Sequence, residues 1–158
     1  MASTVTTATM TVTVSEAITL NGKNQGSTNT LSIPAIANVS KRIVNVPASE
    51  VEIIAMSTAV GSGTFIEGDV LYIRITNLDD TNHVGLIFKN ENDDEFGVKL
   101  DKGQSFIYNG DLSGGVVDTM DAQDGGADLA TNTFADLVNV TAIADTAACD
   151  LEVFVACD

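Results

Sequence analysis

The residues able to do chemistry are few, and they gather around "LYIRITNLDDTNHVGLIFKN" at positions 71–90, where the chain's single histidine, His83, follows Asp79 and Asp80. Hydrolytic triads and transition-metal sites nearly always recruit imidazole. With one histidine, a triad would have to join His83 to an Asp or Glu and one of many Ser or Thr residues, and no G-x-S-x-G elbow supplies the nucleophile. The simpler account of His83 is a turn or strand-edge residue facing solvent. Cys149 and Cys157 lie eight positions apart on one extended segment, which places their Cα atoms ~26 Å apart, far beyond the ~7 Å a disulfide tolerates. They are expected to be reduced and buried, with pairing across a subunit interface as the alternative. No C-x-x-C is present, which removes zinc-ribbon and thioredoxin-like chemistry.

Acidic loops offer the hard oxygens that Ca²⁺ prefers. Asn90-Glu91-Asn92-Asp93-Asp94-Glu95 carries oxygens at alternate positions, but Glu95 stands where an EF-hand requires its sharp-turn glycine; Asp118, Asp121, Asp124 and Asp128 have the wrong spacing. Solvated acids explain both clusters, with weak Ca²⁺ binding as the alternative. Paired carboxylates for glycoside hydrolysis could come from the same residues, but with no Trp and 5% aromatics nothing would hold a sugar, which also weakens a lectin reading. Gly61-Ser62-Gly63 lacks the following Lys of a phosphate loop and reads as a turn. The sequons Asn38-Val39-Ser40 and Asn139-Val140-Thr141 are read as coincidence, because the chain shows no secretory route. No catalytic, cofactor-binding or metal-binding residue is therefore assigned, and no cofactor is expected.

The elements that would position these residues are strands. Met10, Val12 and Val14 alternate with threonines; Val51, Ile53 and Ala55, then Leu71, Ile73 and Ile75, then Val84, Leu86 and Phe88, then Phe96, Val98 and Leu100 each share one face of a period-two run. Turn residues separate them: Asn21-Gly22, Gly61 and Gly63, Gly68-Asp69, Asp79 to Asn82, Glu91 to Glu95, and Asp101-Lys102-Gly103. Such spacing predicts an all-β antiparallel sandwich or barrel. ADLVNVTAIAD and CDLEVFVAC read as a closing hairpin. In its second arm Leu151, Val153 and Val155 oppose Phe154 and Ala156, so the strand is expected to be central or under an interface. Residues 21–30 read as a polar loop, and 111–133 as a surface excursion that meets a partner. A short helix around TFADLV is the alternative at its end.

A chain of 158 residues with 44% hydrophobic content suits one domain over 1–158, with 1–14 as a possible N-terminal β arm. The formal charge is −15, and beyond Lys102 every charged residue is acidic. Phosphate backbones and anionic bilayers would be repelled, so neither nucleic acid nor membrane is an expected partner. MASTVTTATMTVTV has neither a basic n-region nor an unbroken apolar core, so synthesis in a bacterial cytosol is expected. Acidity with few lysines suits a particle dispersed at high salt.

Across LYIRITNLDD, GLIFKN and DEFGVKLDKGQSFIYNGD, and in the terminal NVTAIA and CDLEVFVA segments, the chain resembles small jelly-roll structural proteins of tailed bacteriophages, particularly marine ones. The resemblance spans about residues 50–158. It implies a jelly-roll-like fold and a capsid decoration or cement protein on the exterior of the virion. It also implies the major capsid protein as partner and assembly as a homotrimer. A tail, adaptor or receptor-binding protein is the alternative within the same fold.

Overall fold

A computed structural model describes residues 4–109, 118–119 and 135–158. The fold is all-β, as the alternation requires, and falls into two compact units, Met1–Ala37 and Asn38–Asp158.

The first unit is a long two-stranded ribbon. Strand β1 (Ala8–Ser15) pairs antiparallel with β4 (Thr28–Ile36), and the ribbon continues through β2 (Thr19–Leu20) and β3 (Lys23–Asn24) to a turn at Asn21-Gly22. Both turn residues have positive φ, 49° and 74°, which an Asn-Gly pair tolerates better than other dipeptides and which matches the twist of a tight hairpin. The segment 21–30, expected to be a loop, is thus a turn followed by paired strand. Between the two ladders Glu16 N donates to Ser27 O (2.8 Å) and Gln25 N to Ile18 O (2.9 Å). Gly26 packs so closely here that a Cβ would lie 2.1 Å from the Glu16 carbonyl oxygen. Of the stretch 1–14, expected as a possible N-terminal β arm, residues 8–14 lie in β1 of this ribbon.

The second unit contains β5 (Asn38–Val46), β6 (Val51–Ser57), β7 (Phe65–Ile66), a 3₁₀ turn (Glu67–Asp69), β8 (Val70–Asn77), β9 (Val84–Asn90), β10 (Glu95–Leu100), β11 (Ser105–Asn109), β12 (Asp118–Thr119), β13 (Ala135–Ala144) and β14 (Cys149–Cys157). One sheet has the order β11-β8-β14-β5; the other has β10-β9-β13-β6-β7, with β12 paired to β13. Leaving aside the two-residue strands and numbering the rest along the chain, the sheets read 6-3-8-1 and 5-4-7-2. That interleaving, with each sheet taking strands from both ends of the chain, is the jelly roll, a double-sheet closure of two Greek keys.

The inner faces of both sheets build one core: Ile73 and Ile75 of β8 and Leu151, Val153 and Val155 of β14 meet Val84, Leu86 and Phe88 of β9 and Val140 and Ala142 of β13. Phe88 centres an aromatic cluster at one side, 4.8 Å from Phe96, 5.0 Å from Phe106 and 5.6 Å from Tyr108 between ring centroids.

Other expectations are corrected as well. The terminal segments do not form a hairpin: β13 pairs with β6 and β9, while β14 pairs with β5 and β8 in the opposite sheet. Each has an apolar face to bury, and crossing the sandwich between residues 145 and 148 brings both into one core. TFADLV contributes to strand β13 from Ala135 onward, not to a helix. On β6 the buried residues are Ile53, Ile54 and Met56, because a bulge opposite Val140/Thr141 shifts the phase that would have put Val51, Ile53 and Ala55 on one face. The expected core faces of β9 and β10, and the central placement of β14, are as the sequence indicates. On β8 Ile73 and Ile75 join the core with Val70 in place of Leu71, across a register shift at Ala156/Cys157, and on β1 Met10 and Val12 are only half-buried and Val14 is exposed. The excursion 111–133 lies outside the described residues, apart from the strand at 118–119.

Candidate functional site

The stretch around His83 is an elbow. Asn77 ends β8 fully buried, and its side chain organises the turn beyond it: Oδ1 accepts from Asp79 N (3.0 Å), while Nδ2 donates to Asn82 O (3.0 Å) and Leu100 O (3.2 Å). Asp79 repeats the device, its Oδ1 accepting from Thr81 N (2.7 Å) and Asn82 N (2.6 Å). These backbone donors hold the Asp79 carboxyl below the usual carboxylate range. His83 follows at the rim, about one-third exposed, with Nδ1 3.5 Å from Asp145 Oδ2 and its carbonyl accepting from Asp145 N. Asp79 is thus committed to the turn, and His83 faces a carboxylate on the β13–β14 connection.

The second acidic turn follows the same logic. Asn90, also buried, accepts at Oδ1 from Asn92 N (3.0 Å) and Asp94 N (2.9 Å) and donates from Nδ2 to Asp94 Oδ2 (3.1 Å). Asp93 has φ +67° and its carboxylate takes Lys89 Nζ at 2.8 Å. Of the oxygens read as Ca²⁺ ligands, Asn90 Oδ1 is taken by backbone amides, Asp94 Oδ2 by the Asn90 side-chain amide and Asp93 Oδ1 by Lys89. Among the described residues no group of three or more His, Cys, Asp or Glu side chains is placed to hold a metal ion. Asp121, Asp124 and Asp128, and the side chain of Asp118, lie outside the described residues.

The two cysteines mark opposite ends of β14 and are buried as thiols. Burial pushes both thiols up, Cys157 to about 11 with Asp69 and Asp158 adding to it, and Cys149 with Asp79 adding to it. Native protein at neutral pH is therefore expected to leave both unmodified by an aromatic disulfide reagent, with two equivalents reacting on denaturation. Rapid labelling of the native chain would contradict this burial.

What the fold does present is a face. On the side of the β11-β8-β14-β5 sheet away from the core, register aligns Val39, Ala156, Tyr72 and Asn109 in one row, of which Ala156 and Tyr72 are buried, Lys41, Phe154, Arg74 and Ile107 in the next, and Ile43, Glu152, Thr76 and Ser105 in a third. Glu152 is the hub: Oε1 takes Arg74 Nη2 at 2.6 Å and Oε2 takes Lys41 Nζ at 3.0 Å. Arg74 also donates to Thr76 Oγ1 and lies 5.8 Å from the centre of the Phe154 ring, which meets Tyr72 edge-on. Ile43 is 64% exposed and Val39 48%, so apolar side chains flank a locked charge network. Sequence alternation puts Arg74 opposite the Ile73 and Ile75 face and Glu152 opposite the Leu151 and Val153 face, but only the sheet order makes them neighbours.

The Arg74 and Lys41 contacts, the former dominant, hold the Glu152 carboxyl below its ordinary range. A depressed acid contributes its stability above the unfolded-state pKa and loses it as pH falls through the folded one. Urea midpoints measured from neutral pH to about pH 3 should thus fall less steeply for Glu152→Gln than for the parent. Identical slopes would show that the network is not linked to folding.

No helix among the described residues is long and apolar enough to cross a membrane. No protein-family model matches the chain, and no curated protein matches it. Its class is defined by the architecture above: among the described residues, an acidic jelly roll of eight longer strands and, as a second unit, an N-terminal β ribbon.

Proposed function

We propose that this chain is a structural protein of a bacteriophage virion, a decoration or cement protein that sits on the capsid exterior and stabilises the mature head by bridging capsomers of the major capsid protein. The observation that carries the reading is the complete jelly-roll order of the second unit, whose polar turn residues are spent on closing turns. This adds to the resemblance of residues 50–158 to such proteins. The outer sheet face suits adhesion, because Glu152, Arg74 and Lys41 are already ordered and Val39 and Ile43 stand exposed beside them. Preordered side chains lose little entropy on docking. Packaged DNA presses capsomers apart, and contacts linked across their boundary oppose that separation with avidity beyond any single contact.

Quantitative mass spectrometry of purified particles tests the reading. Hundreds of copies per particle are expected; a dozen or fewer would move the chain to the tail, and absence from particles would end the virion reading.

A further inference from the structure

We infer that two copies of this chain associate through the free edge of β1, forming a continuous four-stranded sheet in the order β4-β1-β1′-β4′ about a two-fold axis. The inference goes beyond the virion reading, since it concerns how copies of the chain join one another in solution.

The charge is distributed between the units in a way that selects the ribbon. Residues 1–37 contain one acid, Glu16, and one base, Lys23, and so carry no net charge, whereas 38–158 hold the remaining 21 acids and 6 bases, a net of 6 − 21 = −15. Two copies meeting through their second units bring like-charged surfaces together, whereas the ribbon segments carry no net charge of their own. On β4 Ile33 and Ile36 are buried, but elsewhere in this unit Val5, Val14, Ile18 and Leu20 are exposed, at 62%, 43%, 54% and 60%. A two-stranded ribbon is at best marginally stable in water, and a third and fourth strand change that.

Edge chemistry then selects β1. Proteins blunt edge strands with charge, proline or shortness. At the sheet edges of the second unit, β5 carries Lys41 and Arg42, β10 carries Glu95 and Lys99, β11 spans only five residues and β7 two. In the ribbon, β4 carries Pro34. Strand β1, ATMTVTVS, spans eight residues with no charge and no proline, and among the described residues it pairs only with β4. Unguarded β-branched sequence of this kind adds strands readily.

A two-fold β1–β1′ pairing uses each copy's open edge once. The outer edges of the new sheet are then the β4 strands with their Pro34 residues, so the assembly closes as a dimer instead of growing into a fibre. Setting Val12 opposite its symmetry mate places Met10 opposite Val14, which keeps all three on one face, and sets Thr11 opposite Thr13 on the other. The family resemblance implies a trimer; this edge, being self-complementary, makes a two-fold.

Sedimentation equilibrium over about 1–100 μM, together with amide hydrogen exchange across β1, tests the pairing. The parent is expected to shift with concentration from the 16.4 kDa chain mass to twice that value, with β1 amides gaining protection in the dimer. The double variant Thr11→Lys/Thr13→Lys puts like charges directly opposite across the axis at two exposed positions, and is expected to stay monomeric with an unchanged far-ultraviolet spectrum. A parent that stays monomeric, a trimer, a dimer that survives the substitutions, or a dimer without added β1 protection would each overturn the inference. If the variant loses its ribbon structure, the parent's mass and β1 exchange still decide between pairing and none. A monomer found at high copy number on particles would overturn the pairing and leave the virion reading standing.

Discussion

Phe88→Ala lowers the stability of the second unit by about 4 kcal/mol, read as a drop in the urea midpoint with an unchanged slope. Phe88 is fully buried, and three aromatic neighbours from β10 and β11 lie within 5.6 Å of its ring centre. Strands β10 and β11 are the edge strands at the same side of the two sheets, so this cluster joins the sandwich where no backbone hydrogen bonds do. Removing the ring leaves a cavity that Phe96, Phe106 and Tyr108 can fill only by leaving their rotamers. A loss under about 1 kcal/mol would mean that the cluster repacks freely and that the sandwich is not closed through it.

Asn77→Ala is expected to cost about 3 kcal/mol, more than truncation of any exposed turn residue. The amide makes three hydrogen bonds, and its loss strands the Leu100 carbonyl and the Asp79 amide where the chain turns from β8 to β9. Asn77→Asp should be no milder, because a carboxylate cannot donate to the Asn82 and Leu100 carbonyls and would be ionised at a buried position. Denaturant unfolding of the two variants checks both statements. If Asn77→Asp retained parental stability, the amide donors would be irrelevant and the elbow would owe its shape to the backbone alone.

The sequence signals that were legible are local ones. The phase of Val84, Leu86 and Phe88, the opposed faces of β14 and the Asn21-Gly22 turn follow from period two and from left-handed φ tolerance, properties a short window contains. What was not legible is non-local or depends on one residue's phase. The bulge on β6 moves Ile54 and Met56 into the core, and nothing in EVEIIAM marks it because every residue after Glu52 there is apolar or small. The sheet assignment of β13 and β14 needs partners a hundred residues away, such as Val44 opposite Leu151, so adjacency in sequence suggested a hairpin where the chain crosses the sandwich. Asn77 and Asn90 look like ordinary turn residues next to their Asp and Asn neighbours. Only position, the last strand residue on an inward phase, sets them apart as buried organisers of the turns.

The elbow around His83 could be anticipated from Asn, Asp and Thr content, but the ordered face of Lys41, Glu152, Arg74 and Phe154 assembles from three strands whose order no local pattern reveals. The proposed adhesion requires such a face to be rigid before docking. Central strand β14, paired on both sides along most of its length, supplies that rigidity.

The proposed virion role is tested most directly by a cryo-electron microscopy reconstruction of phage particles purified with this chain. The account predicts jelly-roll density repeated over the outer shell, seated across capsomer boundaries, with a sheet face or ribbon against the capsid. Density confined to the tail, or a shell whose capsomer boundaries carry none of it, would contradict the account.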